Sequence, residues 1–278
     1  MNKIYVMGDI HQSFKPIRDL YQNLNLKLDK EYHPSESDVL ILLGDTGANF
    51  FGNYMDRNFK KKLGSYKFTY FVIRGNHDRR PEDCYKEDFK NGGNEWTTEI
   101  YFGNVVFVEK AYPYIKYALD HPAVYDINGH ETLIIPGAYS VDKYYRIQHN
   151  LGWFNNEQLT EKEMEFGKEI VREGNYNFDL VLTHTSPKIY QPTDLFLSVI
   201  DQSTVDDTME RYLGEIENTL DYKLWLFGHY HQLRVYPKYE DEQTIMLSND
   251  AVLDLNKYFA EEDPQAALIE IKRLVAER

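Results

Sequence analysis

A pair of histidines one residue apart offers the clearest chemistry in this sequence. His229 and His231 stand in the tetrapeptide Gly-His-Tyr-His at 228–231, directly after the apolar run Leu-Trp-Leu-Phe at 224–227. The run predicts a buried strand, so both imidazoles would lie at the end of a sheet. Neutral imidazole is the commonest nitrogen ligand of first-row divalent ions. The tetrapeptide therefore points to a metal site.

Four further segments place ligand-type residues directly after a predicted apolar strand. They read Gly-Asp-Ile-His at 8–11, Gly-Asp at 44–45, Gly-Asn-His-Asp at 75–78 and Thr-His at 183–184. Ligands of open α/β sheets gather at the carboxyl ends of strands, and a neighbouring glycine lets the backbone turn sharply and approach an ion. One such segment would be weak evidence, because a lone Asp-x-His is usually surface or capping chemistry. Five of them together predict a site for two metal ions.

The first half of the chain predicts strands that alternate with helices. The apolar runs at 4–7, 39–43 and 68–73 are continuous, which is typical of strands in a sheet covered on both faces. A helix is predicted after Ser13, where apolar residues follow at helical spacing. A weaker helix is predicted over about 54–63.

The second half predicts a different arrangement. The segment 79–103 is polar and broken by Asn-Gly-Gly-Asn at 91–94, so we expect an irregular insertion. Asn128-Gly129 predicts a hairpin turn within an antiparallel section. The loop at 185–201 follows His184, and we expect it to form one wall of the site entrance. The other predicted elements are strands at 105–109, 123–127, 132–135, 180–182 and 224–227, helices over about 157–173 and 264–276, and a helix that begins at Ser203.

Composition limits the classes of function. The 278 residues are 42% hydrophobic, enough to bury the core of one large α/β domain, and no linker or repeat divides 1–278. The net charge of −14 without a large basic cluster disfavours a protein that tracks long nucleic acid. No run approaches the roughly 18 apolar residues of a membrane span, and the N-terminus leads directly into a strand instead of a signal peptide. The single cysteine excludes an internal disulfide, so we expect a cytoplasmic setting.

The order of the motifs resembles that of the calcineurin-like metallophosphoesterase superfamily. Asp-x-His, Gly-Asp, Gly-Asn-His-Asp, His and Gly-His-x-His follow one another over residues 9–231. The segments at 44–47, 137–143, 181–184 and 225–231 are also similar to a bacterial and phage branch often labelled serine/threonine phosphatase. The resemblance implies an α/β fold, a two-sheet α-β-β-α sandwich, which agrees with the elements predicted above.

The resemblance also implies a role for each motif residue. Two metal ions would have seven ligands: Asp9, His11 and His231 for the first, Asn76, His184 and His229 for the second, and Asp45 for both. His77 would not bind metal but would stand beside the scissile ester, and Asp78 would orient it.

These residue types suit a metal-dependent hydrolysis. Mixed nitrogen and oxygen ligands favour Mn²⁺ first, with Fe, Zn²⁺, Co²⁺ or Ni²⁺ as alternatives, over Ca²⁺. Two divalent ions bring four positive charges, and Asp9 and Asp45 remove only two, so the site would attract phosphate. Ions about 3.5–4 Å apart can share a water, lower its pKa and present it as hydroxide in line with the leaving group. Protonated His77 would then act as the general acid for the departing oxygen.

The sequence departs from two related patterns. Eukaryotic phosphoprotein phosphatases carry Gly-Asp-x-x-Asp-Arg-Gly where this chain has Gly-Asp-Thr-Gly-Ala-Asn at 44–49, so the second Asp and the Arg are missing. Purple acid phosphatases place a tyrosine ligand where Ala48 stands. An iron–tyrosinate centre is therefore not expected.

Four charged residues near the motifs are candidate substrate contacts: Arg74, Asp142, Lys143 and Arg146. Arg74 precedes the Gly-Asn-His-Asp motif, and the other three follow the predicted strand that ends near Ile135. An internal ion pair is the alternative for each of them.

Together these features predict a phosphoric ester hydrolase with two divalent metal ions. We expect a phosphomonoester substrate, either a small molecule or a phosphopeptide, and neither a membrane nor long nucleic acid as a partner. A phosphodiesterase or nuclease that acts on short nucleotides with the same metals is the main alternative. A metal-poor binding scaffold descended from such enzymes is a further one.

Overall fold

Two β-sheets and the surrounding helices form the described part of the chain, residues 2–27, 34–196 and 198–271 of a computed structural model. Its strands are β1 Ile4–Met7, β2 Val39–Leu43, β3 Thr69–Ile73, β4 Trp96–Tyr101, β5 Asn104–Glu109, β6 Ile115–Tyr117, β7 Ala123–Ile127, β8 His130–Ile135, β9 Asn177–Thr183, β10 Asp221–Phe227, β11 Arg234–Val235, β12 Gln243–Met246, β13 Ala251–Asp254 and β14 Leu268–Glu270. Its α-helices are α1 Lys15–Lys27, α2 Tyr54–Leu63, α3 Pro81–Lys90, α4 Lys143–Gln148, α5 Glu161–Glu173, α6 Thr208–Glu217, α7 Leu255–Glu261 and α8 Pro264–Ala267. Single turns of 3-10 helix lie at Gly64–Tyr66, Lys188–Tyr190, Thr193–Leu195 and Gln202–Thr204.

The central strands of both sheets are parallel. The first sheet has the order β14-β13-β1-β2-β3-β6-β5-β4, in which β1, β2, β3 and β6 run parallel. The second has the order β11-β12-β10-β9-β8-β7, in which β8, β9, β10 and β12 run parallel. Antiparallel strands flank each parallel set, and β7 and β8 form the hairpin predicted at Asn128-Gly129, where both residues have positive φ.

The continuous apolar runs are explained by burial of both faces of each sheet. Successive side chains of a strand point to opposite faces. Val6, Ile41 and Leu226 therefore face a core between the two sheets, whereas Met7 packs toward α1 and α2 and Phe227 toward α5 and α6. The layers are helix, sheet, sheet and helix, which confirms the predicted fold class.

The expected irregular insertion at 79–103 is wrong. Pro81 occupies the first turn of α3, where its missing N–H is not needed. The segment then forms β4, which pairs with β5 at the edge of the first sheet. Only Pro81 is buried among the residues of these two elements, and the others are partly or fully exposed. Their sequences therefore show the polarity of a surface instead of the periodicity of a core.

The helix expected over about 264–276 is also wrong where the structure describes it. α8 ends at Ala267, and β14 follows and pairs antiparallel with β13. Residues from 272 onward lie outside the described part of the chain. None of the helices in the described ranges has the length and apolar content that crossing a membrane requires.

A buried ion pair supports the turn that follows β3. Arg74 Nε lies 3.3 Å from Asp120 Oδ1, and both side chains are buried. Arg74 also donates to the carbonyl oxygen of Glu157 at 2.6 Å, and Asp120 accepts from the backbone N–H of Glu82 at 2.7 Å. These contacts join the end of β3 to the first turn of α3 and to the segments before β7 and α5.

Arg74→Met should lower the free energy of unfolding by about 3–5 kcal/mol, because it leaves the Asp120 carboxylate buried without its cation. Urea denaturation followed by circular dichroism measures the change. Arg79→Met is the matched control: Arg79 pairs with Glu87 on the surface, and such a pair contributes about 0–1 kcal/mol. Equal effects of the two substitutions would contradict a structural role for the buried pair.

Candidate metal centre

Five strand ends converge where the two sheets approach each other. β1, β2 and β3 of the first sheet and β9 and β10 of the second end at the sequence-predicted ligand segments or within two residues before them. Their side chains form two groups in which the ligand atoms lie within 4.8 Å of one another: Asp9, His11 and His231 in the first and Asp45, His184 and His229 in the second. His11 and His231 are exposed, so the first group faces solvent, while Asp45 and His184 of the second are buried.

The Asp45 carboxylate lies between the two groups. Its Oδ1 is 3.4 Å from Nε2 of His184, and its Oδ2 is 3.8 Å from Nε2 of His11 in the other group. The Nε2 atoms of His11 and His231 are themselves 2.9 Å apart. Asp45 is thus placed to share its two oxygens between two cations.

The backbone around the ligands is unusual in its conformation. His11, Asp45, His229 and His231 have φ angles of 42°, 46°, 71° and 56°, in the left-handed region that non-glycine residues rarely adopt. Such strain persists only where the surrounding structure holds it, and it clusters at functional sites. A side chain at Gly75 would place its Cβ 2.1 Å from the Asp45 carboxylate, so glycine is required there.

Hydrogen bonds orient the ligand side chains. Nδ1 of His184 lies 2.6 Å from the carbonyl oxygen of Leu43, which can only accept, so Nδ1 carries a proton and Nε2 is the nitrogen that faces the other candidate ligands. The Asp9 carboxylate accepts from the backbone N–H of His229 at 2.8 Å. The backbone N–H of His77 donates to Asp45 Oδ1 at 2.8 Å.

Asn76 is positioned by two residues that the sequence analysis did not assign. Its Oδ1 faces Nε2 of His184 at 2.9 Å, and its Nδ2 donates to Ser140 Oγ at 2.9 Å. The Ser140 hydroxyl in turn donates to the buried Glu157 carboxylate at 2.5 Å. Because that hydroxyl has one proton and gives it to Glu157, it must accept from Asn76, which turns the amide oxygen toward the ligand groups.

Electrostatics favour a cation at this place. Burial raises the pKa of Asp9 to about 7, against the opposing effect of His184. Burial acts in the same direction on Asp45, but His184 outweighs it and holds the pKa of Asp45 well below its usual value. Burial beside His184 keeps the pKa of His229 well below its ordinary range, so this ring is neutral and able to ligate. Carboxylates and neutral imidazoles form a donor set that fits first-row divalent ions.

His77 lies beside both groups without joining either. Its ring centroid is 5.8 Å from that of His11 and 6.1 Å from that of Phe50. Burial lowers the pKa of the His77 imidazole, although Asp45 opposes the shift. The ring thus stands at the edge of the ligand groups, against an aromatic wall.

Asp78 does not have the contacts expected of a residue that orients His77. Its carboxylate accepts from the backbone N–H groups of Thr46, Gly47 and Gly75 and from the Thr46 hydroxyl. No hydrogen bond joins it to the His77 ring among the residues that the structure describes. Through its hydrogen bonds to Thr46 and Gly47, Asp78 joins the loop after β3 to the loop after β2.

The four candidate substrate contacts have three different kinds of environment in the structure. Arg74 is buried in its pair with Asp120, so the expectation that it reaches substrate is wrong. Arg146 lines a 250 Å³ cavity together with His77, and its Nε donates to Asp142 at 2.7 Å. The Nζ atom of Lys143 lies 4.7 Å from the centroid of the Trp153 ring, a cation–π contact.

Comparison with known proteins places this geometry in a family. The sequence profile of calcineurin-like phosphoesterases matches residues 2–233. None of the curated proteins matches the chain.

Three solved structures are similar to the chain. The protein TT1561 of Thermus thermophilus is 11% identical with a TM-score of 0.52, over 97% of this chain and 99% of that one. The phosphopantetheinyl hydrolase PptH of Mycobacterium tuberculosis is 14% identical with a TM-score of 0.42, over 97% and 95%. A dimetal phosphatase of Danio rerio is 9% identical with a TM-score of 0.45, over 91% and 94%.

At 11% identity, TT1561 is similar to the chain in fold alone. The profile match extends over most of the sequence and confirms the resemblance seen in the motifs. The protein therefore belongs to the calcineurin-like phosphoesterase family of phosphoric ester hydrolases.

Proposed function

We propose that the protein hydrolyses phosphoric esters at a centre of two divalent metal ions. Its ligands would be Asp9, His11, His231, Asn76, His184, His229 and Asp45. The observation that carries the proposal is the position of the Asp45 carboxylate, which has one oxygen 3.4 Å from His184 and the other 3.8 Å from His11. A carboxylate shared in this way suits two neighbouring cations better than one.

The donor set limits the choice of metal. Four imidazoles, two carboxylates and one amide oxygen suit Mn²⁺, which is our first choice, and then Fe, Zn²⁺, Co²⁺ or Ni²⁺. Two such ions would supply Lewis-acid chemistry, which stabilises charge on the phosphoryl oxygens and acidifies a water.

His77 is the residue that we propose as the proton donor to the leaving group. Its backbone N–H is fixed on Asp45, so the ring is held close to the ligands without taking a ligand position. Because burial lowers its pKa, a proton carried by this ring is more readily given to a departing oxygen. The aromatic ring of Phe50 beside it helps to keep bulk water away.

The ligands and His77 serve phosphomonoesters and phosphodiesters alike, because both reactions break one P–O bond at the same centre. The sequence favoured a phosphomonoester. The shape of the cavities beside the centre bears on this choice, since each organic substituent of the phosphorus needs a place of its own.

His77→Ala should lower turnover by about 10²–10⁴-fold on esters with poor leaving groups, which depend on protonation, and less on good ones. The metal content should stay unchanged, because His77 is not a ligand. A series of aryl and alkyl phosphoesters assayed with Mn²⁺, together with elemental analysis of the purified variant, tests both points. His121→Ala is the control, since His121 lies edge-to-face against Phe166 and outside both ligand groups. Loss of metal from His77→Ala would rule out this role.

Ser140→Ala should weaken binding of one of the two metal ions by about 10–100-fold, because the Asn76 amide loses the partner that fixes its oxygen toward the ligands. Titration calorimetry of the metal-free protein with Mn²⁺ measures the affinity. Ser248→Ala is the matched control: this serine is also buried, but its hydroxyl accepts from the backbone of Asp250. Unchanged affinity in Ser140→Ala would show that Asn76 needs no support from Ser140.

A further inference from the structure

Two cavities open on either side of the solvent-facing ligand group. The first, here called the His77 cavity, has a volume of about 250 Å³ and is lined by His11, Phe50, Phe51, Met55, His77 and Arg146 among others. The second, the Phe196 cavity, has a volume of about 410 Å³ and is lined by Val141, Lys188, Phe196, Ile200, His229 and His231 among others. They adjoin at His11 and His231, whose Nε2 atoms are 2.9 Å apart.

The Phe196 cavity suits an uncharged, flat group. The ring of Phe196 lies stacked at 6.5 Å from that of Tyr230, with 23° between the planes, so aromatic faces form part of its wall. Its cationic residue, Lys188, is already engaged by Asp207 at 2.9 Å and by Gln191 at 2.8 Å. The buried carboxylate of Glu210 accepts from Thr185 at 2.6 Å. An anionic group in this cavity would lie near the carboxylates of Asp207 and Glu210. Lys188 would not balance its charge, because Lys188 is already paired.

The His77 cavity has the character expected for a leaving group. Phe50, Phe51 and Met55 provide apolar contact, and His77 is the proton donor of the proposed function. Arg146 reaches over the Phe50 ring at 5.9 Å while holding Asp142. A departing alcohol bound in this cavity would have its oxygen next to the His77 ring, which can protonate it.

We propose that the substrate is a phosphodiester that spans both cavities. The leaving alcohol occupies the His77 cavity, and the substituent that stays on phosphorus, an uncharged aromatic or apolar group, occupies the Phe196 cavity. A phosphomonoester has a single organic substituent and would leave one cavity without a substrate group. This inference rests on the proposed function and adds the substrate class to it.

The reaction balances with water as the second reactant. A water oxygen forms the new bond to phosphorus, and the bond from phosphorus to the leaving oxygen breaks with both electrons on that oxygen. His77 gives its proton to the leaving oxygen, and the water releases one proton to solvent, from which His77 is reprotonated. The products are an alcohol from the His77 cavity and a phosphomonoester that keeps the substituent in the Phe196 cavity.

Three substrates that all release p-nitrophenol separate the two cavities. They are bis-p-nitrophenyl phosphate, methyl p-nitrophenyl phosphate and p-nitrophenyl phosphate, assayed with the Mn²⁺-loaded protein. We expect kcat/KM to be highest for the bis-p-nitrophenyl ester and about tenfold lower for the methyl ester, which leaves the Phe196 cavity unfilled.

Variants assign each cavity to its substituent. Phe196→Ala should lower kcat/KM about tenfold for the bis-p-nitrophenyl ester and distinctly less for the methyl ester, whose small methyl group makes little contact with this ring. Circular dichroism of the variant reports that it is folded. Phe51→Ala should lower kcat/KM of both diesters alike, because p-nitrophenol leaves from the His77 cavity in both reactions. Phe89→Ala is the matched control, an exposed phenylalanine on α3 outside both cavities.

Two results would overturn the inference while leaving the proposed function in place. One is a kcat/KM for p-nitrophenyl phosphate above that of both diesters. The other is an equal effect of Phe196→Ala on the bis-p-nitrophenyl and methyl esters. Absence of hydrolysis of all three esters with each of Mn²⁺, Fe²⁺, Zn²⁺, Co²⁺ and Ni²⁺ would instead refute the proposed function, and the inference with it.

Discussion

The buried carboxylate of Asp45 is the constraint on which the site depends. An isolated anion away from water is strongly destabilising unless cations or hydrogen bonds surround it. Here the backbone N–H of His77 donates to it, the imidazoles of His184 and His11 lie within 4 Å, and the glycine at 75 leaves room for its oxygens. Its own backbone has a φ of 46°. These features come from four loops, those after β1, β2, β3 and β9, so the carboxylate can be held only where those loops meet.

The two sheets bring the loops together. Parallel strands end on the same side of a sheet, and pairing β1 with β2, and β2 with β3, sets Asp9, Asp45 and Asn76 next to one another. Pairing β9 with β10 does the same for His184 and His229. The inner core between the sheets then fixes the two rows of ligands face to face. Asp78 adds a direct tie between the loops after β2 and β3.

Features of the fold and the site that follow from short sequence patterns could be predicted, whereas those that follow from tertiary contacts could not. The position of the candidate ligands at strand ends was predictable because an apolar run followed by Gly-Asp or Gly-His is a local pattern. α3 and β4 were missed because they lie at an exposed edge, where polar residues hide the periodicity. The contacts of Asp78 were missed because adjacency to His77 in sequence does not put the two side chains in contact.

The support of Asn76 shows a different limit. Ser140 is 64 residues away in the chain, and Glu157 is a further 17. Nothing in the local sequence around Glu157 marks it, because its carboxylate acquires a role only when the segment before α5 folds under the end of β3. The carbonyl oxygen of the same residue holds Arg74. A long-range polar network of this kind has no sequence period and appears only in the folded chain.

The charge of the protein bears on the class of ester that its centre receives. The chain carries a formal net charge of −14, and Lys188 and Arg146 at the two cavities are each paired with a carboxylate. A phosphomonoester carries about −1.5 to −2 at neutral pH, whereas a phosphodiester carries a single negative charge. With Lys188 and Arg146 already paired, the metal ions and protonated His77 would be left to attract the phosphoryl group. A singly charged diester, whose two substituents gain apolar contact in the cavities, then needs less of that attraction than a dianion whose second charge must also be balanced.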